Sequence, residues 1–462
     1  MNIKTLLSGI QKTSHSFDVK GLSLNTQSLQ KGDIFVAVQG TQKHGSEFVQ
    51  NAIDKGCIGV LVEDRDIHCS VPSIRINHLG SYLSDLAQTF YKEAQNIKLI
   101  GVTGTNGKTS VSLFISQLLE TLNVKTGVIG TLGISHSDKK TSNTTPDIFT
   151  IYKSLQDYRK KGIEIAIIEA SSHALIQNRL AGLAFDQAIF TNLTQDHLDY
   201  HETIKQYREA KGKLFANSKT KTVIINRDDE NHSFFLNVAE DKLIKTFSID
   251  DFSDYQLSKK GFICSLFNFV FELPLLGHFN LSNALAAFVS IKSLGYSDNL
   301  IIPKLAKLSP PPGRMQKLDK NNIWIDYAHT PDALSNALQT LHLHYPESKL
   351  RVLFGCGGDR DKSKRQQMGK IASELAHSII LTNDNPRNEQ PENIIKDILV
   401  GVKIENHTQV ILDRKIAINT AITTLNEDEV LLIAGKGHET TQIIGSQVLP
   451  FSDIEIALDA LI

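Results

Sequence analysis

Cysteine is scarce in this 462-residue chain, with four residues at positions 57, 69, 264 and 356. They form no CxxC pair and no Cys/His ligand spacing, which argues against a structural zinc site and fits core or incidental thiols in a reducing compartment. Charge of one sign is lacking too: 49 Lys and Arg against 50 Asp and Glu leave a net charge of −1. No general field draws such a chain to nucleic acid or an anionic membrane, so anionic ligands must be held by local sites. The segment Met1 to Ser8 has no long apolar stretch before Gln11 and Lys12, and no later run approaches a membrane span. Repeats and low-complexity tracts are absent as well. A cytoplasmic, monomeric protein acting on small molecules is expected.

The chain does contain enough apolar residues, 41%, for large cores, and its length exceeds one ordinary domain. Short strands such as Asp33 to Val38 and Ile58 to Val62, separated by a helical stretch near Glu47 to Lys55, predict a small α/β domain over residues 1–85. A helix around Tyr82 to Glu93 leads to the strand Ile97 to Ile100. From there apolar strands (Thr126 to Ile129, Ile163 to Glu169, Gln187 to Thr191, Val223 to Asn226) alternate with helical patterns, predicting a parallel-sheet domain over 86–312. The run Ser309-Pro310-Pro311-Pro312-Gly313 breaks the chain. Strands at Trp324 to Asp326, Arg351 to Phe354, Ile379 to Thr382 and Val430 to Ile433 then predict a Rossmann-like doubly wound sheet over 313–462. The fold class expected is α/β in three domains.

The densest chemistry lies at Ile100-Gly101-Val102-Thr103-Gly104-Thr105-Asn106-Gly107-Lys108-Thr109-Ser110, an apolar strand entering a glycine-rich turn that opens a helix. Glycines let backbone N–H groups converge on phosphate oxygens, the helix offers its positive end, Lys108 neutralises charge and the Thr109 hydroxyl can bind Mg²⁺. The spacing departs from the common P-loop, because Val102 stands six before Lys108 and the glycines fall at 101, 104 and 107.

Other polar clusters follow apolar strands, where ligands bind in open α/β sheets. Glu169, at the tip of Ile165 to Glu169, is a candidate Mg²⁺ ligand that His197, after the next strand, can join. Taken alone, Lys211 reads as a surface lysine on a helix face shared with Phe215. Later, Arg360 and Arg387 are candidate bidentate clamps for an acidic or amino-acid substrate. Ala434-Gly435-Lys436-Gly437-His438-Glu439 adds a tight turn and a carboxylate able to receive an ammonium group.

Together these segments resemble the Mur ligase family, ATP-dependent amino-acid ligases of peptidoglycan synthesis. The resemblance rests on Thr103 to Thr109, Glu169 to His173, Asn192 to Asp199, Gly313 to Gln316, Asp326 to Pro331 and Ala434 to Glu439, in that order over nearly the whole chain. Asn143-Thr144-Thr145-Pro146, Gly358-Asp359-Arg360-Asp361 and Asp384-Asn385-Pro386-Arg387 are similar to the branch that adds the third residue to UDP-N-acetylmuramoyl-L-alanyl-D-glutamate. They match its meso-diaminopimelate form, whose second carboxylate Arg387 can pair. Rival readings are an L-lysine-adding version, a folylpolyglutamate-synthetase-like ligase and a non-ligating P-loop regulatory protein.

The resemblance implies ATP contacts from Gly104, Thr105, Asn106, Gly107, Lys108, Thr109 and Ser110. It also implies Asn280 and Asn283 by the adenine, and Arg314 and Asp326 by phosphate and ribose. It implies Mg²⁺ held by Thr109, Glu169, His197 and a carbamoylated Lys211, with Lys108, Lys211 and His197 catalytic. The UDP-substrate set would be Thr26, Thr41, Gln42, Asn143, Thr144, Thr145, Ser171, Gln177 and Arg179. Here the chain departs from many relatives, having Asn25-Thr26-Gln27 in place of Asp-Ser-Arg. The amino acid would meet Arg360, Asp384, Asn385, Pro386, Arg387, Gly435 and Glu439.

Overall fold

The computed structural model describes residues 1–40, 43–137, 143–258, 260–318, 322–403 and 407–461. The expected substrate residues Thr41 and Gln42 lie outside the described residues. Two compact units form: Met1–Ser248 with Val289–Gly295, and Ile249–Phe288 with Tyr296–Ile462.

In the first unit, β1 (Gly21–Ser23), β2 (Asp33–Ala37), β3 (Gly59–Glu63) and β4 (Ser73–Ile76) make a parallel sheet in that order. Alternation along β2 sends Ile34 and Val36 to one face and Phe35 and Ala37 to the other. Phe35 and Ala37 join a small core with Val49, Ala52, Val60 and Val62. Ile34 and Val36 belong to a larger core that also contains Phe149, Tyr152, Leu155 and Ile168. The N-terminal sheet is thus packed onto the following one through shared apolar side chains, the main favourable contribution to their association.

That following sheet has seven strands in the order β11-β10-β9-β5-β8-β6-β7. They are β5 (Lys98–Thr103), β6 (Thr126–Gly130), β7 (Gly133–Ile134), β8 (Ile165–Glu169), β9 (Gln187–Phe190), β10 (Thr222–Asn226) and β11 (Leu243–Phe247). All pairings are parallel except β6 with β7. Every residue of β8 and β9 is buried, as continuous Ile/Ala/Phe runs require when both faces are covered. β5 lies between β8 and β9, so the chain order reverses at its carboxyl end, where a crevice for ligands opens.

The second unit opens with an antiparallel meander, β12 (Asp254–Ser258), β13 (Gly261–Leu266) and β14 (Phe269–Leu273). Its six-stranded sheet runs β15-β16-β20-β17-β18-β19, from β15 (Gln316–Leu318), β16 (Ile323–Asp326), β17 (Lys349–Phe354), β18 (Ser378–Leu381), β19 (His407–Val410) and β20 (Glu429–Ala434). Only β15 is antiparallel to its neighbour. A hairpin of β21 (Thr441–Ile444) and β22 (Gln447–Pro450) follows.

The helix expected over Tyr82 to Glu93 is Leu83–Phe90, followed by a tight turn at Lys92–Asn96. The stretch near Glu47 to Lys55 is likewise split, into the turn Gly45–Phe48 and the helix Val49–Asp54. Cys57, Cys264 and Cys356 are buried, Cys69 is half-buried and all four are free. Among the described residues no helix is long and apolar enough to cross a membrane.

Candidate active site

Strand β5 ends in a turn whose two glycines have positive φ, Gly104 at 152° and Gly107 at 84°. A Cβ on Gly104 would stand 1.8 Å from Thr191 Oγ1, so only glycine fits between this turn and the end of β9. The turn is clamped from that side. Thr105 N–H donates to Asn192 O at 2.8 Å and Asn106 N–H to Asn192 Oδ1 at 2.9 Å, while Thr191 Oγ1 donates to Asn106 O at 2.6 Å. The helix Lys108–Thr121 starts directly at Lys108, with no side-chain cap on its first N–H groups, leaving the positive helix end open to an anion. Lys108 Nζ folds back onto the turn, donating to Gly104 O and Thr105 O, each at 2.8 Å.

Across the sheet edge, Glu169 is 1% exposed. A buried carboxylate needs donors to offset lost hydration, and it accepts from Thr109 Oγ1 at 3.0 Å, Thr131 N–H at 3.0 Å and Thr131 Oγ1 at 2.9 Å. Gly130 makes room for it, since a Cβ there would lie 2.1 Å from Glu169 Oε1. Thr109 and Glu169, both candidate Mg²⁺ ligands, are therefore in direct contact. Thr131 was not anticipated; its signal is a Gly-Thr pair just past a strand of the same sheet.

The neighbouring substrate candidates meet one another. Thr145 Oγ1 donates to Glu169 O at 2.6 Å and lies 3.0 Å from Ser171 Oγ, and Ser171 caps the helix Ser172–Ile176. Arg179 donates to Thr145 O at 2.7 Å and to Gln177 Oε1 at 2.6 Å. Thr144 Oγ1 is 3.3 Å from Thr131 Oγ1, and Asn143 is exposed. Thr26 lies in the β1–β2 connection, where its carbonyl accepts from Lys55 Nζ at 2.8 Å.

Lys211, a surface residue on local sequence, is 1% exposed. It lies on the helix Ile204–Ala216. Its Nζ donates to Gly104 O at 2.7 Å and sits 4.3 Å from the Tyr207 ring. Burial, reinforced by the charge of Lys108 and opposed by Asp196, holds its pKa well below the usual lysine value. His197 has a positive φ of 53°, and its ring centroid is 4.9 Å from that of His173 and 6.1 Å from that of Tyr207. Among the described residues no group of three or more His, Cys, Asp and Glu side chains is arranged for a metal ion. The expected Mg²⁺ set has only one carboxylate and one imidazole, beside a hydroxyl and a lysine.

The remaining candidates belong to the second unit. Asn280 and Asn283 are buried; Asn280 Nδ2 donates to Leu276 O at 2.8 Å and Asn283 Nδ2 to Asn280 Oδ1 at 3.1 Å. Asp326 at the tip of β16 accepts from Met315 N–H at 2.7 Å and Ala328 N–H at 2.8 Å. Burial raises its pKa, against the pull of Arg314, whose guanidinium lies 4.5 Å from the Tyr327 ring centroid.

The loops after β17, β18 and β20 form the amino-acid candidate site. Arg387, at φ 52°, donates to Gly358 O at 2.8 Å and Asn385 O at 3.4 Å. Burial first, and then the charge of Arg360, lowers its pKa. Among the described residues neither Arg360 nor Arg387 has a carboxylate within ion-pair distance. Pro386 lies against Gly358, where a Cβ would meet Pro386 O at 1.9 Å, and a Cβ on Gly435 would meet Asp384 Oδ2 at 2.7 Å. Glu439, expected to face an ammonium group, already accepts from Lys436 Nζ at 2.7 Å and Asn385 Nδ2 at 3.1 Å.

Two buried arginines whose ion pairs sequence reasoning missed brace these loops. Arg365 binds Glu389 at 2.8 Å and Asp397 at 2.9 Å. Arg414 binds Asp453 at 2.7 Å and also donates to Ala434 O and Asn383 O, tying the ends of β20 and β18 together. Their partners are far apart in sequence, so no local motif exposes them.

Known proteins resemble this chain over nearly its whole length. Residues 18–91 match the Mur ligase family catalytic domain, 102–291 the Mur ligase middle domain and 313–437 the Mur ligase glutamate ligase domain. The chain is 39% identical over 468 residues to the UDP-N-acetylmuramoyl-L-alanyl-D-glutamate--2,6-diaminopimelate ligase of Coxiella burnetii, covering 96% of each. A solved structure of a ligase of that same name is 32% identical, with a TM-score of 0.69, over 100% of this chain and 98% of that one. The MurF ligase of Thermotoga maritima, solved in complex with ADP, shares the fold at 18% identity and a TM-score of 0.65, over 96% of this chain and 97% of that one. On three domain matches and near full-length similarity, the chain belongs to the Mur ligase family.

Proposed function

We propose that this chain is an ATP-dependent ligase that joins meso-2,6-diaminopimelate to UDP-N-acetylmuramoyl-L-alanyl-D-glutamate in peptidoglycan precursor synthesis. The observation that carries the reading is the meeting, at the carboxyl edge of one parallel sheet, of an open phosphate turn, the Thr109–Glu169 contact and the buried amine of Lys211. Near full-length similarity to ligases named for this reaction supports it.

The side-chain carboxylate of D-glutamate attacks the ATP γ-phosphorus, forming an acyl phosphate and releasing ADP. The amine of diaminopimelate then adds to the acyl carbon, loses a proton and expels inorganic phosphate through a tetrahedral intermediate. Lys108 and the open helix end neutralise phosphate charge, and the protein otherwise positions the reactants. Thr109, Glu169, His197 and a carbamate on Lys211 would hold Mg²⁺, which supplies further charge neutralisation. A depressed lysine pKa favours the neutral amine that reacts with carbon dioxide. Thr26 and the group Asn143, Thr144, Thr145, Ser171, Gln177 and Arg179 serve the UDP substrate. Arg360, Asp384, Asn385, Pro386, Arg387, Gly435 and Glu439 receive the amino acid. Domain limits at 85/86 and 312/313 are part of this reading; the third matched segment begins at 313, while the first runs on past 85 to residue 91.

The test is ADP release with each component omitted in turn. Sustained release over many turnovers should require both the UDP-muramoyl dipeptide and diaminopimelate; an unchanged steady rate without either one sinks the reading.

A further inference from the structure

We propose that Lys436 is a positioning residue for the incoming amino acid, acting through Asn385 and Glu439. The inference rests on the ligase reading above. Lys436 follows Gly435 (φ 114°) and precedes Gly437 (φ 52°), a turn that carries its side chain inward to 0% exposure. An ammonium group taken from water requires partners that replace its hydration. Lys436 finds them on two different strand ends: Glu439 Oε2 at 2.7 Å, after β20, and Asn385 Oδ1 at 3.2 Å, after β18.

The three side chains form a closed set, because Asn385 Nδ2 also donates to Glu439 Oε2 at 3.1 Å. Asn385 Oδ1 is further fixed by Ile443 N–H at 2.9 Å. Glu439 is the member that reaches solvent, with 30% of its side chain exposed. Lys436 itself presents nothing to a ligand. It sets the direction of the Asn385 amide and offsets part of the Glu439 charge, so both groups are aligned before the amino acid arrives.

The experiment is steady-state kinetics on the full chain, varying meso-diaminopimelate at saturating ATP and UDP-muramoyl dipeptide. The expected result is a KM for diaminopimelate raised about tenfold or more in Lys436→Gln and Lys436→Met, with the KM for ATP within about twofold of wild type and partial recovery in Lys436→Arg. Because a lone charge deletion can disturb folding, Lys436→Met is also combined with Glu439→Gln. The pair should have a KM for diaminopimelate within about twofold of Glu439→Gln alone, since residues acting as one unit are not additive. An unchanged KM in Lys436→Gln, or additive effects in the pair, overturns the inference. Failure of the wild type to turn over diaminopimelate would instead reject the ligase reading.

Discussion

The Nζ of Lys211 lies 2.7 Å from the carbonyl oxygen of Gly104, so a fully buried amine is hydrogen-bonded to the turn that opens the phosphate loop. Since its pKa is held well below the ordinary value by burial and by Lys108, its neutral form is available at lower pH than that of an exposed lysine. Incubation with isotopically labelled bicarbonate should give a carbamate carbon signal that is absent from Lys211→Ala. The signal should grow as pH rises through the depressed pKa and fade below it. A wild-type protein without the signal would remove the carbamate from the mechanism.

Lys108 makes its hydrogen bonds to two carbonyls of the turn, Gly104 and Thr105. On the proposed mechanism, replacing it by alanine removes phosphate neutralisation and little packing. Lys108→Ala should abolish ADP release while shifting stability by no more than about 1 kcal/mol, checked by thermal unfolding beside the activity assay. Substantial residual turnover contradicts the role given to Lys108.

Gly104 has no room for a methyl group beside Thr191 Oγ1 and adopts φ 152°. Gly104→Ala should cost about 1–3 kcal/mol and raise the KM for ATP, because the turn must move off β9. Denaturant unfolding together with ATP kinetics tests both effects, and wild-type values in both would show that the turn tolerates the displacement.

Glu389 holds the buried Arg365 with both carboxylate oxygens, and that pairing lowers its pKa from 4.5 to about 2. A depressed carboxylate pKa contributes stability that is complete above the unfolded value of 4.5 and is lost as pH falls toward about 2. Glu389→Gln should therefore destabilise the protein at neutral pH by about 1–3 kcal/mol. The gap to wild type should close in acid unfolding curves below pH 4.5. A gap independent of pH would mean that the pair is not the cause.

Much of this site was legible along the chain because its parts sit at strand ends in short runs. The turn from Gly104 to Thr109 and the Glu169 strand tip are local motifs, and their contact follows from neighbouring strands β5 and β8. The burial of Lys211 was not visible locally, since a lysine between Ala210 and Gly212 has the same sequence signature whether its helix face meets water or the phosphate turn. The Arg365–Glu389 and Arg414–Asp453 pairs join residues 24 and 39 positions apart, which no helical or strand period links. The meander β12–β14 was missed; its first strand buries no residue, which leaves little apolar signal where the meander begins. Helix ends near residues 45–55 and 82–96 were blurred by short tight turns that continue the helical pattern.

Arg360 and Arg387 flank Gly357, where a Cβ would come within 2.9 Å of Arg387 Nη1 and 3.7 Å of Arg360 Cγ. On the proposed function, the Arg387 guanidinium so placed pairs the far carboxylate of the amino acid. Arg387→Ala should raise the KM for diaminopimelate by about 10–100-fold, as expected for losing a charge-assisted hydrogen bond. Steady-state kinetics of this variant at saturating ATP provides the check, and an unchanged KM would remove Arg387 from the clamp.

The decisive measurement is a paired assay of the wild-type chain with ATP and UDP-N-acetylmuramoyl-L-alanyl-D-glutamate. meso-Diaminopimelate or L-lysine is supplied at equal concentration, with ADP and the UDP-linked product both quantified. Turnover with diaminopimelate well above that with lysine, one ADP per product formed, is the predicted result. A preference for lysine, or ADP release without a UDP-tripeptide product, would contradict it.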